Sequence, residues 1–121
     1  MIRCGTDIIE ISRIKNANET NEKFKNRIFT DSEILNSESK KSQKYESYAA
    51  RFAAKEAIYK AISGFIQKED FLWKSIEIVN DSCGKPCVNL QIEVKGLKDI
   101  DVSMAHCREN ATAQVIAVFE D

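Results

Sequence analysis

The chain of 121 residues has one proline, four glycines and one histidine. It contains no internal repeat, low-complexity tract or linker, so one domain covering residues 1–121 is expected. At that length a core forms without disulfides or a structural metal. Its four cysteines, Cys4, Cys83, Cys87 and Cys107, include no CxxC pair, which argues against a disulfide framework and for reduced thiols. Cys83, Cys87, His106 and Cys107 match no standard zinc knuckle spacing. No apolar run approaches the roughly 20 residues of a membrane span, and the start, Met1 to Asp7, lacks a signal-peptide core; cytoplasmic residence is expected. Charge of one sign is also missing. The formal net charge is -1, which argues against bulk attraction to nucleic acid or membrane, so charge-based recognition must be local.

What the chain does have is 43% hydrophobic and 31% charged residues, the balance of a soluble globular protein. The densest pattern lies from Arg51 to Ala61. At about 100° per residue, Tyr45, Tyr48, Ala49, Phe52 and Tyr59 share one side of a helix running from about Gln43 to Ile62. Ala50, Ala53, Ala54, Ala57 and Ala61 form a small-residue side nearly opposite. Glu56 projects among the aromatics, where an ionised carboxylate needs a cation, a metal or strong donors. Arg51, Lys55 and Lys60 flank it and could hold phosphate oxygens or cover the rim.

Ile2 to Ile9 reads as a strand with Gly5 and Asp7 on one side. Asp is disfavoured within strands; Asp7 is either a helix cap or half of a carboxylate pair with Glu56. Such a pair suits Mg2+ with phosphates and water, whereas an i,i+4 ion pair between Glu56 and Lys60 is the structural alternative. Two short helices follow, Glu10 to about Asn18 and Asn21 to Phe29. Arg13, Lys15, Lys23, Lys25 and Arg27 make the only basic concentration, either a solvated face or a dock for an acidic partner.

Thr30 with Glu33 is a capping box that starts a further short helix. Residues 36–44 read as a loop or frayed helix, and Ser63-Gly64 as the stop of the long helix. The segment 65–73 carries no assignable pattern. Residues 75–80 and 87–94 form a hairpin across Asp81 to Pro86, and 100–107 and 111–119 are the last strands. Strand, helices, then four strands give an α+β fold: a mainly antiparallel sheet packed against one long helix and several short ones.

In order along the chain, Gly5-Thr6-Asp7-Ile8-Ile9-Glu10-Ile11-Ser12-Arg13, Arg51-Phe52-Ala53-Ala54-Lys55-Glu56-Ala57-Ile58-Tyr59-Lys60-Ala61, Gly84-Lys85-Pro86 and Ser103-Met104-Ala105-His106 resemble the motifs of the holo-acyl-carrier-protein synthase family. These are the short 4'-phosphopantetheinyl transferases, and the likeness covers essentially the whole chain. It implies transfer of the phosphopantetheine arm of coenzyme A to a serine of apo acyl carrier protein, with adenosine 3',5'-bisphosphate leaving. It implies Mg2+ on Asp7 and Glu56, with Lys60 adding a cation. Glu56, a metal-bound water or another carboxylate could take the serine proton. Arg51, Lys60, Gly84, Lys85, Pro86, Ser103 and His106 are implied in coenzyme A binding. Arg13, Lys23 and Arg27 are implied in carrier docking. The resemblance further implies a homotrimer with sites at subunit junctions, and by length the fatty-acid carrier. A coenzyme A or nucleotide-binding module without activity, or another Mg-dependent phosphodiester enzyme, are the alternatives. Residues 63–70 depart from the family in lacking its second and third glycines, which bears on how the coenzyme A pocket closes.

Overall fold

A computed structural model describes residues 1–121. The element order is β1 (Ile2–Glu10), α1 (Ile11–Thr20), α2 (Glu22–Ile28), α3 (Asp31–Glu38), α4 (Lys44–Ile62), β2 (Ile76–Asn80), β3 (Pro86–Leu90), β4 (Leu97–His106) and β5 (Asn110–Phe119). The strands form two units rather than one. β1, β5 and β4 make a three-stranded antiparallel sheet in that order, and β2 and β3 are a separate hairpin.

The helices begin and end for local reasons. Thr30 accepts from the Glu33 amide while the Glu33 carboxylate accepts from the Thr30 amide, a reciprocal cap that satisfies two otherwise orphaned donors. Asn21 caps α2 through the Lys23 amide. The C-terminus of α4 differs from the glycine stop expected. Ser63 keeps helical dihedrals, and the chain tightens into a 3-10 turn over Ser63–Phe65. Two further 3-10 turns, Lys68–Asp70 and Trp73–Ser75, carry the patternless segment. The strand expected over 87–94 stops at Leu90.

The alanine side of α4 packs on the sheet. Ala53, Ala54, Ala57, Ile58, Ala61 and Ile62 share one core with Ile76, Ile78, Val102, Ala113, Val115, Ala117 and Phe119. Small side chains let the helix backbone come close to β1. A Cβ on Gly5 would overlap the carbonyl oxygen of Ala57, so only glycine is compatible with this approach. That closeness positions the site, because Asp7 lies two residues further along the same side of β1. A second core gathers Ile11, Ile14, Ile28, Phe29, Tyr48 and Ala49 where α1 and α2 meet α4.

Opposite the helix, the sheet is bare. Ile2, Ile8 and Ile116 are 64%, 67% and 55% exposed, and the register places Cys4 against Ile116 and Ile2 against Val118 across this outer face. No helix is long and apolar enough to cross a membrane.

Candidate active site

β1 continues to Glu10, and the α1 cap has no side-chain hydrogen bond. Asp7 is therefore not a helix cap. It sits in mid-strand, paired with Ala113 on the side that faces α4, and Lys60 Nζ donates to its Oδ1 at 3.2 Å and to the Thr6 carbonyl at 2.9 Å. Glu56 and Lys60 are one helical turn apart, yet Lys60 is engaged by Asp7 and none of the five ion pairs includes Glu56. Burial pushes the Glu56 carboxyl above the usual carboxylate range, the nearby Asp7 charge adds to that, and Lys60 opposes both. Two carboxylates thus approach each other beside one cation, with the half-buried one lacking an ionic partner. Such an oxygen donor set fits a hard divalent cation that retains positions for water and phosphate. No group of three or more His, Cys, Asp or Glu side chains forms a closed metal cage, Cys83, Cys87, His106 and Cys107 included.

Aromatic side chains stand on either side of Glu56 along α4. The rings of Phe52 and Tyr59 on α4 lie 6.5 and 5.9 Å from Trp73, and Phe24 of α2 lies 6.1 Å from Phe52.

Lys55, expected as a flanking cation, is not available to a ligand. Its side chain is wholly buried, and Nζ lies 2.6 Å from Glu33 Oε1 while donating to the Ile28 carbonyl at 2.7 Å. Lys55 and Glu56 are adjacent in sequence but point to different sides of the helix, as about 100° per residue requires.

Two clefts share Pro86 and Met104. One, of about 280 Å³, brings together Arg51, Gly84 and His106 with Asn36, Lys40 and Ser47. The other, of about 410 Å³, is lined by Lys85, Asp101, Ser103, Gln114 and Ile116. Arg51, Gly84, Lys85, Pro86, Ser103 and His106 therefore line two adjoining clefts. Arg51 is 4% exposed; it donates to Ser47 Oγ at 2.9 Å, but its Nε has no partner, and neither does Asn36 Oδ1. Burial lowers the Arg51 pKa from its usual value, opposed by the Glu33 charge. An unpaired guanidinium donor in such a cleft favours an anionic ligand. The Gly84 turn is held by Asp81, whose Oδ1 accepts from the amides of Cys83 and Lys85, with Gly84 at φ 83°. Lys85 Nζ lies 2.7 Å from Asp101 Oδ1. Asn36, Ser47 and Asp101 were missed in the sequence; only the Ser47–Arg51 pair left a local trace there, its i,i+4 spacing.

Arg13, Lys23 and Arg27 are exposed on α1 and α2. Arg27 borders a groove with Phe71, Trp73 and Lys74. The glycine-poor segment lines a different cavity, with Gly64, Phe65, Ile66 and Gln67 facing Ile92 and Lys95. Phe65 is stacked on Phe119 with ring centroids 3.9 Å apart.

The family model of the 4'-phosphopantetheinyl transferase superfamily matches residues 3–117. The chain belongs to this superfamily. Among curated transferases, it is 47% identical to the holo-[acyl-carrier-protein] synthase of Ruminiclostridium cellulolyticum, over 97% of this chain and 92% of the relative. It is likewise 47% identical to that of Clostridium tetani, over 93% and 91%. Of solved transferase structures, the Bacillus anthracis synthase in complex with CoA (3',5'-ADP) matches with a TM-score of 0.77 at 38% identity, covering 95% of this chain and 94% of that one. The Helicobacter pylori enzyme in complex with coenzyme A matches at 0.78 and 30% identity, over 98% and 100%.

Proposed function

We infer that this protein is a holo-[acyl-carrier-protein] synthase of fatty-acid synthesis, acting in the cytoplasm. The serine hydroxyl of apo acyl carrier protein attacks the β-phosphate of coenzyme A; the phosphopantetheine–serine bond forms and adenosine 3',5'-bisphosphate leaves. The observation that carries this reading is the meeting of Asp7, Glu56 and Lys60 on β1 and α4, two carboxylates and a cation that suit a metal-bound phosphate.

Asp7 and Glu56 would hold Mg2+, which when bound supplies positive charge against the pyrophosphate. Lys60, exchanging Asp7 for phosphate oxygens, offsets charge that grows on the transferring group. Arg51 offers its free Nε to a phosphate of the nucleotide end, and Gly84, Pro86 and His106 line the same cleft. Lys85 and Ser103 extend it across the sheet. Arg13, Lys23 and Arg27 face the acidic carrier.

The active form is a homotrimer with sites at subunit junctions. Arg51 and Glu56 are five residues apart on α4, so they project about 140° from each other. A ligand that reaches both an acid site and an Arg51 cleft is served more simply by two chains than by one. The bare sheet face with Ile2, Ile8 and Ile116 supplies an apolar surface for such contacts.

Incubation of the chain with Mg2+, coenzyme A and an apo carrier protein, followed by intact-mass analysis, is the test. One phosphopantetheine added per carrier is expected. Coenzyme A binding without transfer to any of several carriers would instead leave a binding module, and turnover of coenzyme A without a carrier would indicate a different phosphodiester enzyme.

A further inference from the structure

Lys55 and Glu33 form the most saturated polar contact in the molecule, and the reaction proposed above makes no use of either. Both side chains are wholly buried. Lys55 Nζ meets Glu33 Oε1 at 2.6 Å, the Ile28 carbonyl at 2.7 Å and the Trp73 carbonyl at 3.3 Å, one acceptor for each ammonium proton. Glu33 Oε1 also accepts from the Thr30 amide at 2.9 Å, and Oε2 accepts from the Ile78 amide at 2.8 Å. A buried pair of this kind is weak evidence for stability, because apolar residues of similar volume often serve as well or better. What the pair does provide is direction.

Its acceptors are informative. Ile28 is the last residue of α2, the helix that carries Lys23 and Arg27. Trp73 contributes its ring to the aromatic cluster with Phe52 and Tyr59, on either side of Glu56 in sequence. Glu33 lies in the first turn of α3, and Lys55 immediately precedes Glu56 on α4. One ammonium thus fixes the end of the basic helix and the Trp73 turn to the helix that carries the acid.

We propose that Glu33 and Lys55 are positioning residues for phosphopantetheine transfer: the pair sets α2 and the Trp73 turn against α4, so that a carrier docked on α2 presents its serine at Glu56. This rests on the function proposed above. It predicts a selective loss, large toward the carrier and small toward coenzyme A, since the Arg51 cleft lies on another side of α4.

The test is the full-length double variant Glu33→Gln with Lys55→Met, which removes both charges and the donor to both carbonyls at similar volume. Transfer kinetics are measured with carrier and coenzyme A varied in turn, together with coenzyme A binding by calorimetry and the emission of Trp73, the only tryptophan. A folded variant should show a carrier KM raised about tenfold or more, roughly 1.4 kcal/mol, and a coenzyme A Kd within about twofold of wild type. Trp73 emission should be red-shifted and more readily quenched by iodide. If the double variant does not fold, Glu33→Gln alone is read in the same way, with a carrier KM rise of about threefold expected, some 0.65 kcal/mol. Unchanged carrier KM in the folded variant overturns the proposal. So do equal losses toward both substrates, which would mark general loosening. If the wild-type protein transfers nothing, the functional reading has failed; Trp73 emission still reports whether the pair holds the turn, and unchanged emission overturns that part.

Discussion

Helix α4 carries two encounters between a lysine and a carboxylate, and they differ in almost every respect. Lys55 and Glu33 are wholly buried, 2.6 Å apart, with each proton and oxygen supplied with a partner inside the fold. Lys60 and Asp7 are 3.2 Å apart with Lys60 53% exposed, and Glu56 beside them has no ionic partner. The saturated pair has nothing left with which to meet a ligand, so it builds. The open group keeps charge and lone pairs in reserve, as the proposed metal and phosphate site requires.

The contrast is broken most severely at the open group. Asp7→Ala should lower the transfer rate by about 10³-fold or more, because charge stabilisation at a phosphoryl group supplies most of its acceleration. The variant should keep its fold, checked by circular dichroism alongside initial rates. At the closed pair the effect falls on stability instead. Lys55→Ala leaves Glu33 buried without its cation and should cost about 3–5 kcal/mol in urea unfolding. Lys60→Ala should cost less than about 1 kcal/mol in the same experiment, because its ion pair is solvated, while slowing transfer by about 10- to 100-fold. A Lys60→Ala variant as unstable as Lys55→Ala would erase the distinction.

The smallest effect is the pH dependence of the metal-free protein. Glu56 has its pKa raised in the folded state, first by burial and then by Asp7. The native state therefore binds this proton more tightly than the unfolded chain does. The contribution to stability is greatest below the ordinary glutamate range and is lost as pH rises through the folded value. Glu56→Gln should accordingly melt higher than wild type at neutral pH, with the gain shrinking as the pH falls through the folded value and gone below the ordinary glutamate range; differential scanning calorimetry across that range measures it.

Much of this contrast was legible in the residues. The α4 periodicity separated the alanine face from the aromatic face, and Thr30 with Glu33 announced a helix start through a contact three residues long. Asp7 stood out because strands disfavour it. The pairing of lysines was not legible. Spacing favoured Lys60 with Glu56, whereas close packing of β1 on α4 through Gly5 brought Asp7 to Lys60 instead. Lys55 looked like a rim cation because its partners, Glu33, Ile28 and Trp73, are distant in sequence and their convergence depends on tertiary packing. The division of the strands into a sheet and a hairpin was hidden for the same reason: alternation marks a strand but not its neighbour. The 3-10 turns of residues 63–75 have no apolar period to read. Arg51, Gly84, Lys85, Pro86, Ser103 and His106 line two joined clefts, and their roles rest on the proposed chemistry.

The most direct measurement is the intact mass of apo acyl carrier protein after incubation with coenzyme A, Mg2+ and the Glu56→Gln protein at neutral pH. The account predicts a carrier left unmodified while the wild-type protein converts it fully, from a variant that melts no lower than wild type. Conversion by Glu56→Gln at the wild-type rate would contradict it.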